Sequence, residues 1–252
     1  MVNSSLAALA VVLTLQSTPQ PPTEPSEATR WPDDKPFSRV VQNLGHDLVA
    51  LPSLNTGLIL GAGGLGAWAV HPKDDDLANW AAQSDPSLST LGAVFGDGWF
   101  QGSVATVAYI TGRLNKDAKT THVASDLIRA QILNGVITTG LKVGVNRERP
   151  DGGNHSFPSG HASATFASAQ VLGSHFGWKV GVPGYAVASL IGWSRVRDRQ
   201  HWLSDTVFGA AVGIAAAQSI TAGHKARTKW TVVPTATKTS VAFYVVKSVT
   251  SR

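Results

Sequence analysis

Three short stretches of this chain combine residue types that handle anions and protons. The first runs from Lys142 to Pro150 (KVGVNRERP). Lys142 and Arg149 are seven residues apart, which on a continuous helix returns the side chain to within about 20° of the same face. Both could then meet one anion. Arginine supplies a planar fork for two phosphate oxygens, and lysine a point charge. Pro150 would end that helix. Taken alone, the stretch reads equally as a solvated basic helix end.

The second stretch is Phe157-Pro158-Ser159-Gly160-His161, followed by the helical ASATFASAQVL. A proline and a small-residue turn before a helix expose backbone N–H groups at the positive end of the helix dipole, which is an anion site. Gly160 lets the backbone approach a ligand closely. His161, in the first turn, is placed to give a proton to a leaving oxygen. Alone, this is also an ordinary capped helix start.

The third stretch holds Arg195, His201 and Asp205 (SRVRDRQHWLSD). Four residues on a helix place His201 and Asp205 on one face. A carboxylate there can accept from Nδ1–H, fix the tautomer and leave Nε2 as a nucleophile. The plainer reading is a surface His–Asp pair. Arg197, Asp198 and Arg199 read as solvated loop charges.

These stretches need a scaffold that gathers them. From residue 48 onward the chain is a series of apolar segments rich in Ala, Gly, Val, Leu and Ile, near 48–70, 99–112, 123–141, 161–176, 180–194 and 206–223. None alternates with period two, so they read as six helices of an all-α bundle. In an up-and-down bundle, the connection between the third and fourth helices lies at the same end as that between the fifth and sixth. All three stretches therefore converge on one pocket. Residues 231–249 differ, being β-branched with partial alternation, and predict a short hairpin.

Composition narrows the function classes. There is no cysteine, which excludes disulfides, thiolate metal sites and cysteine nucleophiles. The net charge of +5 favours anionic partners. No long basic run with interleaved aromatics is present, so nucleic acid is not an expected partner. His46, His71, His122, His175 and His224 show no metal-ligand spacing and read as structural or surface residues. His155 lies close to the second stretch, and Asp97 sits in a Gly-Asp-Gly turn.

The pattern Lys142-x6-Arg149-Pro150, Pro158-Ser159-Gly160-His161 and Ser194-Arg195-x5-His201-x3-Asp205 resembles the type 2 phosphatidic acid phosphatase (PAP2) family. Its superfamily also holds bacterial class A acid phosphatases and vanadium haloperoxidases. The resemblance covers roughly residues 48–223 and implies an all-helical fold with a six-helix core. It implies that Lys142, Arg149 and Arg195 hold phosphate oxygens, aided by Ser159 and the Gly160 N–H. It further implies that His201 attacks phosphorus, Asp205 orients His201, and His161 protonates the leaving group and then activates water. No metal or organic cofactor is called for, and vanadate is expected to occupy the phosphate site as an inhibitor.

The expected activity is hydrolysis of phosphate monoesters, lipid or soluble, through a phosphohistidine. The alternative is a vanadium-dependent haloperoxidase on the same scaffold, against which the short chain speaks. The expected organisation is a signal peptide over 1–17 (apolar run LAALAVVLTL), a Pro-rich linker over 18–37, a phosphatase domain over 38–230 and an extension over 231–252. The expected location is the cell envelope. Mean hydropathy of only +0.03 favours a soluble exported form, with an integral membrane form as the alternative.

Overall fold

The computed structural model describes residues 37–222, 227–236 and 241–250. The expected signal peptide and nearly all of the linker lie outside the described residues. The helices in chain order are α1 (Phe37–Ala50), α2 (Leu54–Val70), α3 (Asp74–Ala81), α4 (Ser87–Phe95), α5 (Gly98–Leu114), α6 (Ala118–Val145), α7 (Gly160–Phe176), α8 (Trp178–Arg197) and α9 (Leu203–Thr221). Strands β1 (Arg227–Ala236) and β2 (Val241–Thr250) pair antiparallel, Arg227 opposite Thr250. The hairpin expected from the β-branched pattern is present and starts four residues earlier than expected, at Arg227.

All six expected helices exist, and the all-α architecture holds for the bundle. The first is divided. Pro52 and Ser53 break it, because proline disfavours the helical conformation of the residue before it. Ser53 then caps α2 through its hydroxyl, which accepts from the Thr56 N–H. Three helices are additional to the six, namely α1, α3 and α4. The segment His71–Asp76, between the first two expected helices, is a 3-10 turn running into α3, whose first turn carries Asp74, Asp75 and Asp76 at the favourable end of the dipole.

The interior is made of small and polar residues. α7 packs between α8 and α9, and α6 crosses both α7 and α9. Ala130, Leu133, Ala167, Val171, Ala216, Ala217 and Ile220 form one buried cluster. Close approach depends on Gly209 and Gly213. A Cβ at Gly209 would lie 2.6 Å from the Ser159 carbonyl, and one at Gly213 2.0 Å from that of Ser163. These two glycines seat α9 against the beginning of α7.

The outer face is apolar. Trp99, Val104, Val107, Ile110 and Leu114 of α5 are exposed, as are Leu58, Leu65 and Trp68 of α2 and Trp178, Val182, Val187 and Leu190 of α8. Meanwhile Asp47, Asp74, Asp126, Arg129, Gln131 and Asn134 are buried. By length and composition α9 could cross a membrane, and α1 together with Leu54–Ala81 passes the same test with a 70° bend.

Candidate active site

The C-terminal end of α6, the N-terminal end of α7, the last turn of α8 and the residues before α9 meet around a cavity of about 200 Å³. Lys142, Arg149, Gly160, His161, Arg195, Gln200 and His201 line it. Six of these seven are sequence candidates; Gln200 is not.

The chain reaches this arrangement differently from the helical spacing expected. α6 stops at Val145, and Asn146 takes the left-handed conformation (φ 46°), a frequent helix stop. Lys142 is thus on the helix, while Arg149 is on the loop. Two reciprocal contacts fix the first. Lys142 Nζ donates to the His155 carbonyl at 2.7 Å, and His155 Nδ1 lies 3.0 Å from the Lys142 carbonyl, which it can reach only as donor. His155 therefore braces Lys142 from its loop and is not among the lining residues. Arg149 donates through Nε to the Asn154 carbonyl (3.1 Å) and through Nη1 to Gln200 Oε1 (2.7 Å).

Ser159 is the N-cap of α7. Its side chain is completely buried and accepts from the Ala162 N–H. The structure directs this hydroxyl into the helix start, away from the ligand role that the resemblance implies for it. Gly160 follows at the rim. Its first-turn N–H has no intrahelical acceptor by geometry and forms part of the positive dipole end of α7. His161 Nε2 lies 3.1 Å from the Ala93 carbonyl. A carbonyl only accepts, so Nε2 carries the hydrogen and Nδ1 is the nitrogen left for proton exchange.

Arg195 is buried and donates through Nη2 to the Ser89 carbonyl (2.8 Å) and to Asp198 (2.6 Å). Asp198 also holds Arg197 at 3.0 Å. Arg197 and Asp198, expected as solvated, are instead tied to Ser84 and Ser89 in the segment before and within α4.

His201 and Asp205 show the largest departure. α9 begins at Leu203, so His201 lies outside the helix and the four-residue rule does not apply to it. His201 Nδ1 is 3.9 Å from Asp205 Oδ2, beyond hydrogen-bond reach, and has no hydrogen-bond partner. Asp205, fully buried, sits at the third helical position and turns back to accept from the Trp202 N–H at 2.9 Å, as N-terminal carboxylates do. It also accepts from Ser156 Oγ and, at 2.7 Å, from Arg147 Nη1. Burial pushes the His201 imidazole down to about 4, with the Asp205 carboxylate pulling the opposite way. At 3.9 Å that pull is one of charge.

Arg147 was not a sequence candidate, yet it organises this corner. Besides Asp205 it reaches Asp74 at 2.9 Å and Ser204 at 2.7 Å, and it lies over the Trp202 ring. Asp74 in turn accepts from the Ser204 N–H and hydroxyl. The only signal in the sequence was an arginine inside the first stretch; its partner, 73 residues earlier, has no spacing that would reveal it. Asp97, the remaining open residue, caps α5 by accepting from the Trp99 and Phe100 N–H groups.

Comparison with known proteins agrees with this geometry. The PAP2 superfamily matches residues 124–229. The lipid A 1-phosphatase of Porphyromonas gingivalis is 41% identical over 97 residues, 36% of this chain and 21% of that protein. The lipid A 4'-phosphatase of Helicobacter pylori is 29% identical over 106 residues, 40% of this chain and 53% of that protein. The chain thus spans about a fifth and about half of these curated relatives. Among solved structures, Aquifex aeolicus LpxE superposes with a TM-score of 0.50 at 23% identity, over 58% of this chain and 93% of that one. The first transmembrane PAP2 type phosphatidylglycerolphosphate phosphatase from Bacillus subtilis gives 0.53 at 19% identity, over 67% and 94%. The segment that matches the PAP2 superfamily, residues 124–229, includes Lys142, Arg149, His161, Arg195, His201 and Asp205.

Proposed function

We propose that the protein is a phosphatase that removes phosphate from lipid phosphate esters by way of a phosphohistidine on His201. The observation that carries this reading is the cavity itself. Three cations and two imidazoles line it, and two of the cations are held by neutral oxygens, leaving their charge for an anion. Lys142, Arg149 and Arg195 would take the phosphoryl oxygens together with the Gly160 N–H. Their charge, in a partly desolvated site, would stabilise the spread negative charge of the transition state. His201 Nε2 would attack phosphorus as the ester oxygen leaves, and His161 would give that oxygen its proton from Nδ1. A water then loses a proton to His161 and attacks the phosphohistidine. Inorganic phosphate leaves, and His201 is restored.

The lipid part of the reading rests on the outer face. Exposed Trp, Leu, Val and Ile on α2, α5 and α8 around a buried polar interior reverse the pattern of a water-soluble bundle. We place the helical body in a membrane, which favours the integral alternative over the soluble form expected from mean hydropathy. Matched relatives named as lipid phosphatases point the same way and away from haloperoxidase chemistry.

The test is phosphate release by purified protein from phosphatidic acid and lipid A in mixed micelles, with His201→Ala alongside. Turnover with a labelled, acid-labile phosphoprotein in the wild type, and neither in His201→Ala, is the expected result. Turnover that survives His201→Ala, or absence of phosphate release from every ester, overturns the assignment.

A further inference from the structure

A second polar cluster lies at the other end of α6, some ~25–30 Å from Lys142 by helical rise. His122 and Asp126 are one turn apart on α6, and His175 comes from the last turn of α7. One ligand atom from each of the three falls within 4.8 Å of the others. Both imidazoles turn Nε2 toward the same oxygen, Asp126 Oδ2, at 3.7 Å from His122 and 2.9 Å from His175. The rings are perpendicular, with centroids 5.4 Å apart. The opposite oxygen, Oδ1, is held by Arg129 Nη2 at 2.5 Å, and Arg129 is itself bound to Asp47. The carboxylate is therefore oriented from behind, the supporting arrangement that ligating carboxylates use.

We propose that His122, Asp126 and His175 form a binding site for a divalent transition-metal ion, zinc being the best match. The geometry suits it. Ligands at about 2.0–2.2 Å from a tetrahedral zinc stand about 3.3 Å from one another, midway between the two Nε2···Oδ2 distances. Two imidazoles and one carboxylate select zinc, cobalt or nickel over magnesium and calcium, which prefer all-oxygen sites. Three protein ligands leave a fourth position. The ion would join α6 to α7, the two helices whose opposite ends present Lys142 and Gly160 to the cavity. Sequence spacing hid the site, since His175 is 49 residues from Asp126.

The experiment uses full-length, tag-free protein in detergent, stripped with a chelator and reloaded with Zn²⁺ or Co²⁺. About one equivalent of metal is expected to survive buffer exchange. Co²⁺ should give the visible absorption of a tetrahedral site. His122→Gln and His175→Gln keep an N–H donor toward Asp126 while removing a ligand. Each is expected to weaken zinc binding by more than the ~10–100-fold of a supporting-residue change, with p-nitrophenyl phosphate hydrolysis unchanged. Wild-type protein that retains no metal overturns the site, as does equal retention by the double Gln variant. Should the variants fail to fold, X-ray absorption of zinc-loaded wild type decides. A first shell with two imidazoles supports the site, and one of oxygen alone overturns it. Phosphate release is read separately, so loss of this proposal leaves the catalytic one standing.

Discussion

The cations on α6 and just beyond its C-terminal end stand in opposite circumstances. Near the middle of α6, buried Arg129 lies between two carboxylates, Asp47 and Asp126. Arg147, just beyond the C-terminal end, is likewise shared by Asp74 and Asp205. Lys142 and Arg149, a few residues away, are held by the carbonyls of His155 and Asn154 and the amide of Gln200. The difference separates cations that serve the fold from cations kept for a ligand. A carboxylate neutralises an arginine; a carbonyl positions it and leaves its charge in place. Arg195 stands between the two cases, with one carboxylate that it divides with Arg197.

Removing the first kind of cation should damage the fold most. Arg129→Met removes the arginine shared by two buried carboxylates, at a cost of about 3–5 kcal/mol. For a chain of this size that is a fall of roughly 6–20 °C in apparent melting temperature, read by tryptophan fluorescence in detergent. Arg147→Met should fall toward the lower end of that range, since its side chain is 22% exposed, and should also lower turnover by freeing Asp205. Retention of the wild-type melting temperature by both would break the distinction.

The second kind should behave in reverse. Arg149→Gln removes a phosphate donor whose partners are neutral, and kcat/KM should fall about 10²–10³-fold, equivalent to about 2.7–4 kcal/mol. The melting temperature should stay at the wild-type value. A melting temperature that drops as far as in Arg129→Met would show that Arg149 is structural.

Two glycines sharpen the same contrast on a smaller scale. Gly209→Ala drives a methyl to 2.6 Å from the Ser159 carbonyl, and overpacking there should cost about 1–3 kcal/mol. At Gly160 a Cβ would meet Lys142 Cε and Thr138 Cγ2 only at 3.8 and 3.9 Å, an ordinary contact. Gly160→Ala should therefore melt like the wild type while binding vanadate more weakly, because its methyl stands beside Lys142 at the cavity rim. Equal vanadate inhibition of Gly160→Ala and wild type would remove Gly160 from the ligand site.

What could be read in the sequence follows from the range of the interactions. The three stretches were legible because their catalytic residue types cluster within a few positions, and the long apolar segments marked six helices. The division at Pro52 and the helix α3 were not, since short helices carry too few turns for a periodic signal. Arg147 and Gln200 stayed hidden because their partners are 49 to 76 residues distant. The His201–Asp205 pair failed in its geometry although both residues were found. Spacing assumed a helix through both, whereas Trp202 caps a helix that has not begun at His201.

That displaced pair leads to the finest test of the contrast between charge kept and charge cancelled. His201 must be neutral for Nε2 to attack. Burial disfavours the imidazolium, so protonation is postponed from the ordinary value near 6.5 down to about 4. The acid limb of kcat/KM that belongs to His201 should accordingly lie near pH 4, with the nucleophile competent throughout pH 5–7. Asp205 pulls this value upward. Asp205→Asn removes that pull, so its limb should move further toward acid even as its maximum rate falls. A fall in rate with no shift of the limb would mean instead that Asp205 acts through Arg147, Ser156 and the Trp202 N–H, which it holds directly, and not through its charge on His201. A pH series on phosphate release, paired with NMR of the His201 ring, reads both quantities. A limb that moves toward neutrality in Asp205→Asn would mean that Asp205 governs the burial of His201 more than its charge.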